Sequence, residues 1–130
     1  MIVDSSVLIA ILRGEPEATA FIEAVDRAEV RRLSAANYLE SAILIDSDRS
    51  PIASQRFDDY VRVAGFLIEP VTFEQVQIAR QAYRDYGKGN SNRAQLNYGD
   101  CFAYALARDR KEPLLFKGDD FRHTDIEPAL

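Results

Sequence analysis

Short apolar strands separated by long helical stretches predict an α/β fold, a three-layer α/β/α sandwich with a central parallel sheet. Three observations carry this expectation. Residues 1–4, 66–71 and 114–117 read as strands, each an apolar run bounded by polar or turn residues. The stretches between them are long enough for helices and carry apolar residues at helical spacing, so successive strands are joined by helical crossovers. The length of 130 residues, with 47% hydrophobic and 28% charged residues, suits a single domain over residues 1–130 with one continuous core.

The elements follow in order. Ser5 and Ser6 stand where a helix cap is needed after the first strand, and Val7, Leu8, Ile11 and Leu12 give that helix an apolar face until Gly14 stops it. Glu15-Pro16-Glu17 opens the next helix, with proline in the first turn and acids favoured by the helix dipole. Ser34 caps a helix carrying Leu39, Ile43 and Leu44. Ser50-Pro51 starts another, with Phe57, Tyr60, Val61 and Ala64 at helical spacing and Gly65 at its end. Thr72 with Gln75 reads as a capping box ahead of Val76, Ala79, Ala82, Tyr83 and Tyr86. Residues 87–92 are a loop with two glycines and two asparagines, and Tyr98, Cys101, Phe102, Ala105 and Leu106 mark the last long helix. Up to two further short strands are expected.

Composition excludes several kinds of chemistry. No apolar run approaches the roughly 18 residues of a membrane span, and the apolar start MIVDSSVLIAIL carries Asp4 without a basic leader, so it reads as structure in a cytoplasmic protein. Cys101 is the only cysteine and His123 the only histidine, so an internal disulfide, a zinc centre and a histidine relay have little support. The net charge of −5 is the wrong sign for a nucleic-acid binder. Charge is uneven, however. Arg80, Arg84, Lys88 and Arg93 face only Asp85 in that stretch, which is either a solvated surface or a local docking site for phosphates.

The acids carry the chemistry. Ligands of open parallel sheets bind beyond the carboxyl ends of the strands. Asp4 ends the first strand, Asp119 and Asp120 follow the last, and Asp100 opens a helix packed on the same sheet. Glu40 lies on a partly apolar helix face, where a lone carboxylate needs a partner. Converging carboxylates repel one another, and a hard divalent cation removes that cost. Such a centre activates water for phosphoryl chemistry without a side-chain nucleophile. Each acid also has a structural reading: Asp4 as a helix cap, Asp100 as the partner of Asn97 in a first helical turn, Glu40 as the partner of an arginine, and Asp119 and Asp120 as a polar turn.

Four segments then carry a resemblance: MIVDSSVLIAIL, SAANYLESAIL around Glu40, LNYGDCFAYALA around Asp100 and PLLFKGDDF. In this order they resemble the PIN-domain ribonucleases, and among them the VapC toxins of toxin–antitoxin pairs. The resemblance implies a PIN-like fold and a Mg²⁺- or Mn²⁺-dependent endoribonuclease that blocks translation by cutting structured RNA such as tRNA or rRNA. It also implies a VapB-like antitoxin and a homodimer. Carried over by position, it makes Asp4, Glu40, Asp100 and Asp119 the catalytic acids, with Asp4 and Asp100 as metal ligands and Ser6 supporting them. The family often places Asp or Asn where Gly118 stands here, so the fourth acid falls to Asp119 or its neighbour Asp120. Lys88 and Arg93 then suit RNA phosphates, and Tyr86 and Tyr98 suit either base stacking or a core or dimer contact. Two rivals are an inactive PIN-like interaction module and a receiver-like phospho-acceptor domain, in which Lys117 would take the part of a conserved-type lysine after a late strand.

Overall fold

The computed structural model describes residues 1–91 and 93–130; Asn92, the last residue of the expected 87–92 loop, lies outside the described residues. Four strands form one sheet in the order β3-β2-β1-β4: β1 (Ile2–Val3), β2 (Arg32–Ser34), β3 (Leu67–Glu69) and β4 (Leu114–Leu115). All pairings are parallel. From β1 the chain first builds outward through β2 and β3, then returns to place β4 on the other side of β1. The order therefore reverses between β1 and β4, and a crevice at the carboxyl ends of these strands is the expected ligand position.

The period of two along the strands splits the core into two layers. Ile2 and Leu114 face α5 (Phe73–Tyr86) and α6 (Tyr98–Arg110), packing with Ala79, Ala82, Ala103 and Leu106. Val3, Leu33 and Leu115 face the other way. They pack with residues of α1 (Ser5–Leu12), α2 (Ala18–Arg27), α3 (Ala35–Asp46) and α4 (Pro51–Val63), including Val7, Phe21, Ile45 and Phe57. This is the expected α/β/α arrangement.

The three expected strands are present but shorter, and β2 is a fourth. Its three residues, Arg-Leu-Ser, carry too little apolar pattern to be read alone; pairing on both sides, with β1 and β3, makes them a strand. Two starts differ from expectation. The segment Glu15-Pro16-Glu17 is a turn, and α2 begins at Ala18, because Glu15 and Glu17 are taken by Lys117 at 3.1 and 3.4 Å. The Thr72 hydroxyl does cap α5, but Gln75 does not complete the box: its side chain donates to Asp109 instead. Glu69, inside β3, is buried and accepts from Arg32 and Arg110 at 2.6 and 2.9 Å. No helix among the described residues is long and apolar enough to cross a membrane.

Candidate active site

Asp4 leaves β1 in an extended conformation and is the N-cap of α1, its Oδ2 accepting from the Ser6 amide at 3.0 Å. Its backbone is fixed from the other side, since the Asp4 amide donates to Leu115 of β4. The Oδ1 atom is buried and meets no donor among the described residues. Burial pushes the Asp4 carboxyl up to about 6, and the negative charge of Glu40 adds to the rise. The Ser6 hydroxyl accepts from the Lys117 amide at 3.0 Å, tying the exit of β4 to the first turn of α1.

Asp100 sits in the first turn of α6 and completes a capping box. Its Oδ2 accepts from the Asn97 amide at 3.0 Å, while Asn97 Oδ1 accepts from the Asp100 amide at 2.9 Å. Burial is the main cause that raises its carboxyl to about 7, and Asp4, Asp120 and Glu40 raise it further. Glu40 enters from α3. Among the described residues it has no arginine partner: its Oε1 accepts from the Ser5 hydroxyl and, at 3.4 Å, from Asn37 Nδ2. The fold thus brings Asp4, Glu40 and Asp100 from three different helices to the reversal point of the sheet. For Asp4 and Asp100 the capping and convergent readings are both present in one side chain.

The last acidic segment is arranged differently. Asp119 has an 85% exposed side chain and lies 3.8 Å from Arg122. Asp120 opens a 3₁₀ turn (Asp120–His123), and it is Asp120, not Asp119, whose charge bears on Asp100. Gly118 has φ +91°, a conformation that carries a strain cost for the Asp or Asn expected there. Glycine at this position and the displaced acid belong to one local geometry.

Lys88 and Arg93 are exposed and form no ion pair among the described residues. The Lys88 amide donates to Leu96 and the Leu96 amide to Tyr86, which pins both ends of the loop. Lys88 and Tyr98 share a groove of about 780 Å³ between α5 and α6. Tyr98 is 79% exposed and packs edge-on against Phe102. Tyr86 instead packs on Tyr104 at the core, with ring centroids 5.9 Å apart. Burial raises the Cys101 thiol to about 11, which fits a packed filler and not a nucleophile. The Lys117 ammonium is tied to Glu15 and Glu17, which removes the lysine that the receiver-like reading required.

Among the described residues, no three acids close into a ready-made cation cage. The donor set nonetheless fits a hydrated Mg²⁺ or Mn²⁺, which needs only one or two carboxylates beside its waters. The buried Oδ1 of Asp4, unpartnered among the described residues, and the neighbouring carboxylate charges that lift Asp4 and Asp100 are both relieved by a cation. Sequence reasoning missed Ser5, Asn37 and Gly99, which contact Glu40 or each other, and it favoured Asp119 over Asp120. The available signals were local: Ser5 follows Asp4, Gly99 precedes Asp100, and Asn37 lies one helical turn before Glu40.

Known proteins share this sequence pattern and this fold. Residues 1–127 match the PIN domain family. The chain is 54% identical over 130 residues to Ribonuclease VapC28 of Mycobacterium tuberculosis, covering all of this chain and 98% of that protein. Among solved structures it resembles Mycobacterium tuberculosis VapC20, described as a sarcin-ricin loop cleaving toxin, with a TM-score of 0.71 at 16% identity, covering 98% of both chains. It also resembles a chain of a toxin-antitoxin complex from Klebsiella pneumoniae, with a TM-score of 0.73 at 18% identity, covering 95% of this chain and 92% of that one. At such identities the two structures speak for the fold alone. The match to the family over nearly the whole chain and the high identity to a full-length relative lead to one conclusion: this chain belongs to the PIN-domain family, among its VapC ribonucleases.

Proposed function

We propose that this chain is a divalent-cation-dependent endoribonuclease and the toxin of a toxin–antitoxin pair, acting on structured RNA in the cytoplasm. The observation that carries the reading is the convergence of Asp4, Glu40 and Asp100 at the sheet's reversal point, with Asp4 raised by burial and the charge of Glu40, and Asp100 by burial and the charges of Asp4, Asp120 and Glu40. The kinship with proteins named VapC ribonucleases supports the substrate class. The likeness to a chain of a toxin-antitoxin complex supports a VapB-like antitoxin as partner.

Asp4 and Asp100 would hold Mg²⁺ or Mn²⁺, with Glu40 beside them. When bound, the cation offsets charge developing on the scissile phosphate and makes water a better nucleophile. The chain's own part is positional. Ser6 holds Asp4, Asn97 holds Asp100, and Ser5 holds Glu40, so each carboxylate keeps one orientation. A carboxylate of this set takes up the proton of the attacking water. As fourth acid we favour Asp120 over Asp119, because Asp120 acts electrostatically on Asp100. Lys88 and Arg93 supply cationic contacts for RNA phosphates beside the site. The exposed apolar residues Leu39, Ile43, Val76, Tyr83 and Tyr98 support a homodimer through the α3, α5 and α6 surface.

The test is cleavage of total RNA by purified protein. Wild type should cut in Mg²⁺ or Mn²⁺ and stop in EDTA, whereas Asp4→Asn or Asp100→Asn should lose about 100-fold or more in rate with the fold retained. Cleavage by Asp100→Asn at the wild-type rate would remove this site from the reaction. Growth should arrest on expression of the chain alone and recover when its antitoxin is co-expressed.

A further inference from the structure

Each of the three acids has a residue close by in sequence that makes a contact joining α1, α3 and α6 around Glu40. Ser5 follows Asp4, Asn37 lies one turn before Glu40 on α3, and Gly99 precedes Asp100. The Asn37 side chain is fully buried, and its Nδ2 donates to the Gly99 carbonyl at 3.0 Å and more weakly to Glu40. Both acceptors are oxygens, so they fix which way the amide points. The Asn37 backbone carbonyl joins the network as an acceptor: it accepts from the Ser41 hydroxyl at 2.8 Å, one turn further along the helix. Its own Oδ1 stays buried without a protein partner, a cost that stability alone does not justify.

Gly99 supplies space. A methyl group at its Cα would stand 2.6 Å from the Glu40 carboxyl carbon and 2.7 Å from Oε1, with Oε2 nearer still. The Glu40 carboxylate occupies the volume that any other residue at position 99 would fill. Since Asp100 is the next residue, that close approach also sets how near the Glu40 and Asp100 carboxylates come to each other.

We infer that Asn37 and Gly99 are positioning residues: the Asn37 amide and the bare Cα of Gly99 lock the first turn of α6 against α3 and hold Glu40 in register with Asp100. This rests on the ribonuclease reading of the acid site. Neither residue touches the reacting atoms in this account; both act through Glu40 and Asp100.

The experiment is steady-state cleavage of a fluorogenic RNA oligonucleotide, with folding followed by circular dichroism. Gly99→Ala should fold and should lose about 100-fold in kcat, the scale of an ångström-level misplacement, while KM stays within about threefold. Shortening the carboxylate in the double variant Gly99→Ala/Glu40→Asp gives the methyl group room. Its kcat should therefore be no lower than that of Glu40→Asp alone. Losses that multiply across the two substitutions, or a wild-type kcat in Gly99→Ala, overturn the inference. If Gly99→Ala does not fold, Asn37→Ala decides: a kcat lowered at least about tenfold at unchanged KM supports the inference, and a wild-type kcat overturns it. A wild type that cuts no RNA with Mn²⁺ refutes the ribonuclease reading instead. The frame is then judged by Mn²⁺ titration calorimetry, where Gly99→Ala should bind at least about tenfold more weakly and equal affinity overturns it.

Discussion

Asp4 and Asp100 are acids whose ordinary range lies near pH 4 but which the fold raises to about 6 and about 7. Their neutral forms are therefore favoured in the folded state relative to the unfolded one. The stabilisation that this gives the cation-free protein is present below the unfolded values and is lost as pH rises through 6 to 7. A cation reverses the balance, because it binds the charged carboxylates and leaves the protonated ones. The thermal midpoint of the cation-free protein should thus be higher at pH 5 than at pH 8, as far as these two groups decide it. Mn²⁺ should raise the midpoint by several degrees at pH 8 and by almost nothing at pH 5. Differential scanning fluorimetry measures both, and a Mn²⁺ effect of equal size at the two pH values would contradict the assignment.

At the scale of the element, the helices were more legible than the strands. Caps are local chemistry, so Ser34, Ser50, Thr72 and Asn97 announce their helices in the sequence, and the structure places each as an N-cap. Pairing is not local. The segment Arg32–Ser34 becomes β2 only because β1 and β3 flank it, and residues 66–71 shrink to β3 because pairing with β2 stops at Glu69. The Glu15-Pro16-Glu17 turn shows a long-range competitor winning over a helix-start signal, since Lys117 arrives from the far end of the chain. The acids were readable for the same reason as the caps: Asp4 and Asp100 stand at element ends. Asn37 and Gly99 were not, because an amide and a glycine in the first turns of two helices look unremarkable until α3 and α6 are brought together. The choice between Asp119 and Asp120 was not readable, because it depends on the turn after Gly118, whose φ of +91° sequence does not display.

Among the described residues the molecule carries two cores and leaves an apolar surface on α3 and α6 uncovered. Tyr98 and Phe102 form a ridge, with the groove of about 780 Å³ on one side and a second of about 430 Å³, lined by Leu39, Ile43 and Leu44, on the other. A ridge between two grooves can mate with its own copy about a two-fold axis. Light scattering should accordingly give twice the 14.7 kDa chain mass, and Ile43→Glu should return it to the monomer with the thermal midpoint little changed. A wild type that stays monomeric at high micromolar concentration would exclude this surface as a self-interface.

The hydrogen bonds that orient the acids also decide their denticity. Asp4 commits Oδ2 to Ser6, Asp100 commits Oδ2 to Asn97, and Glu40 commits Oε1 to Ser5 while its Oε2 lies against Gly99, which leaves one oxygen each on Asp4 and Asp100 for a cation. Such a set offers single-oxygen ligation and withholds the bidentate carboxylate that large, high-coordination ions exploit. Single-oxygen ligation should favour small octahedral ions, so Ca²⁺ at equal concentration should support less than about a tenth of the cleavage seen with Mg²⁺ or Mn²⁺. Equal rates with all three would mean that the capping bonds open on loading.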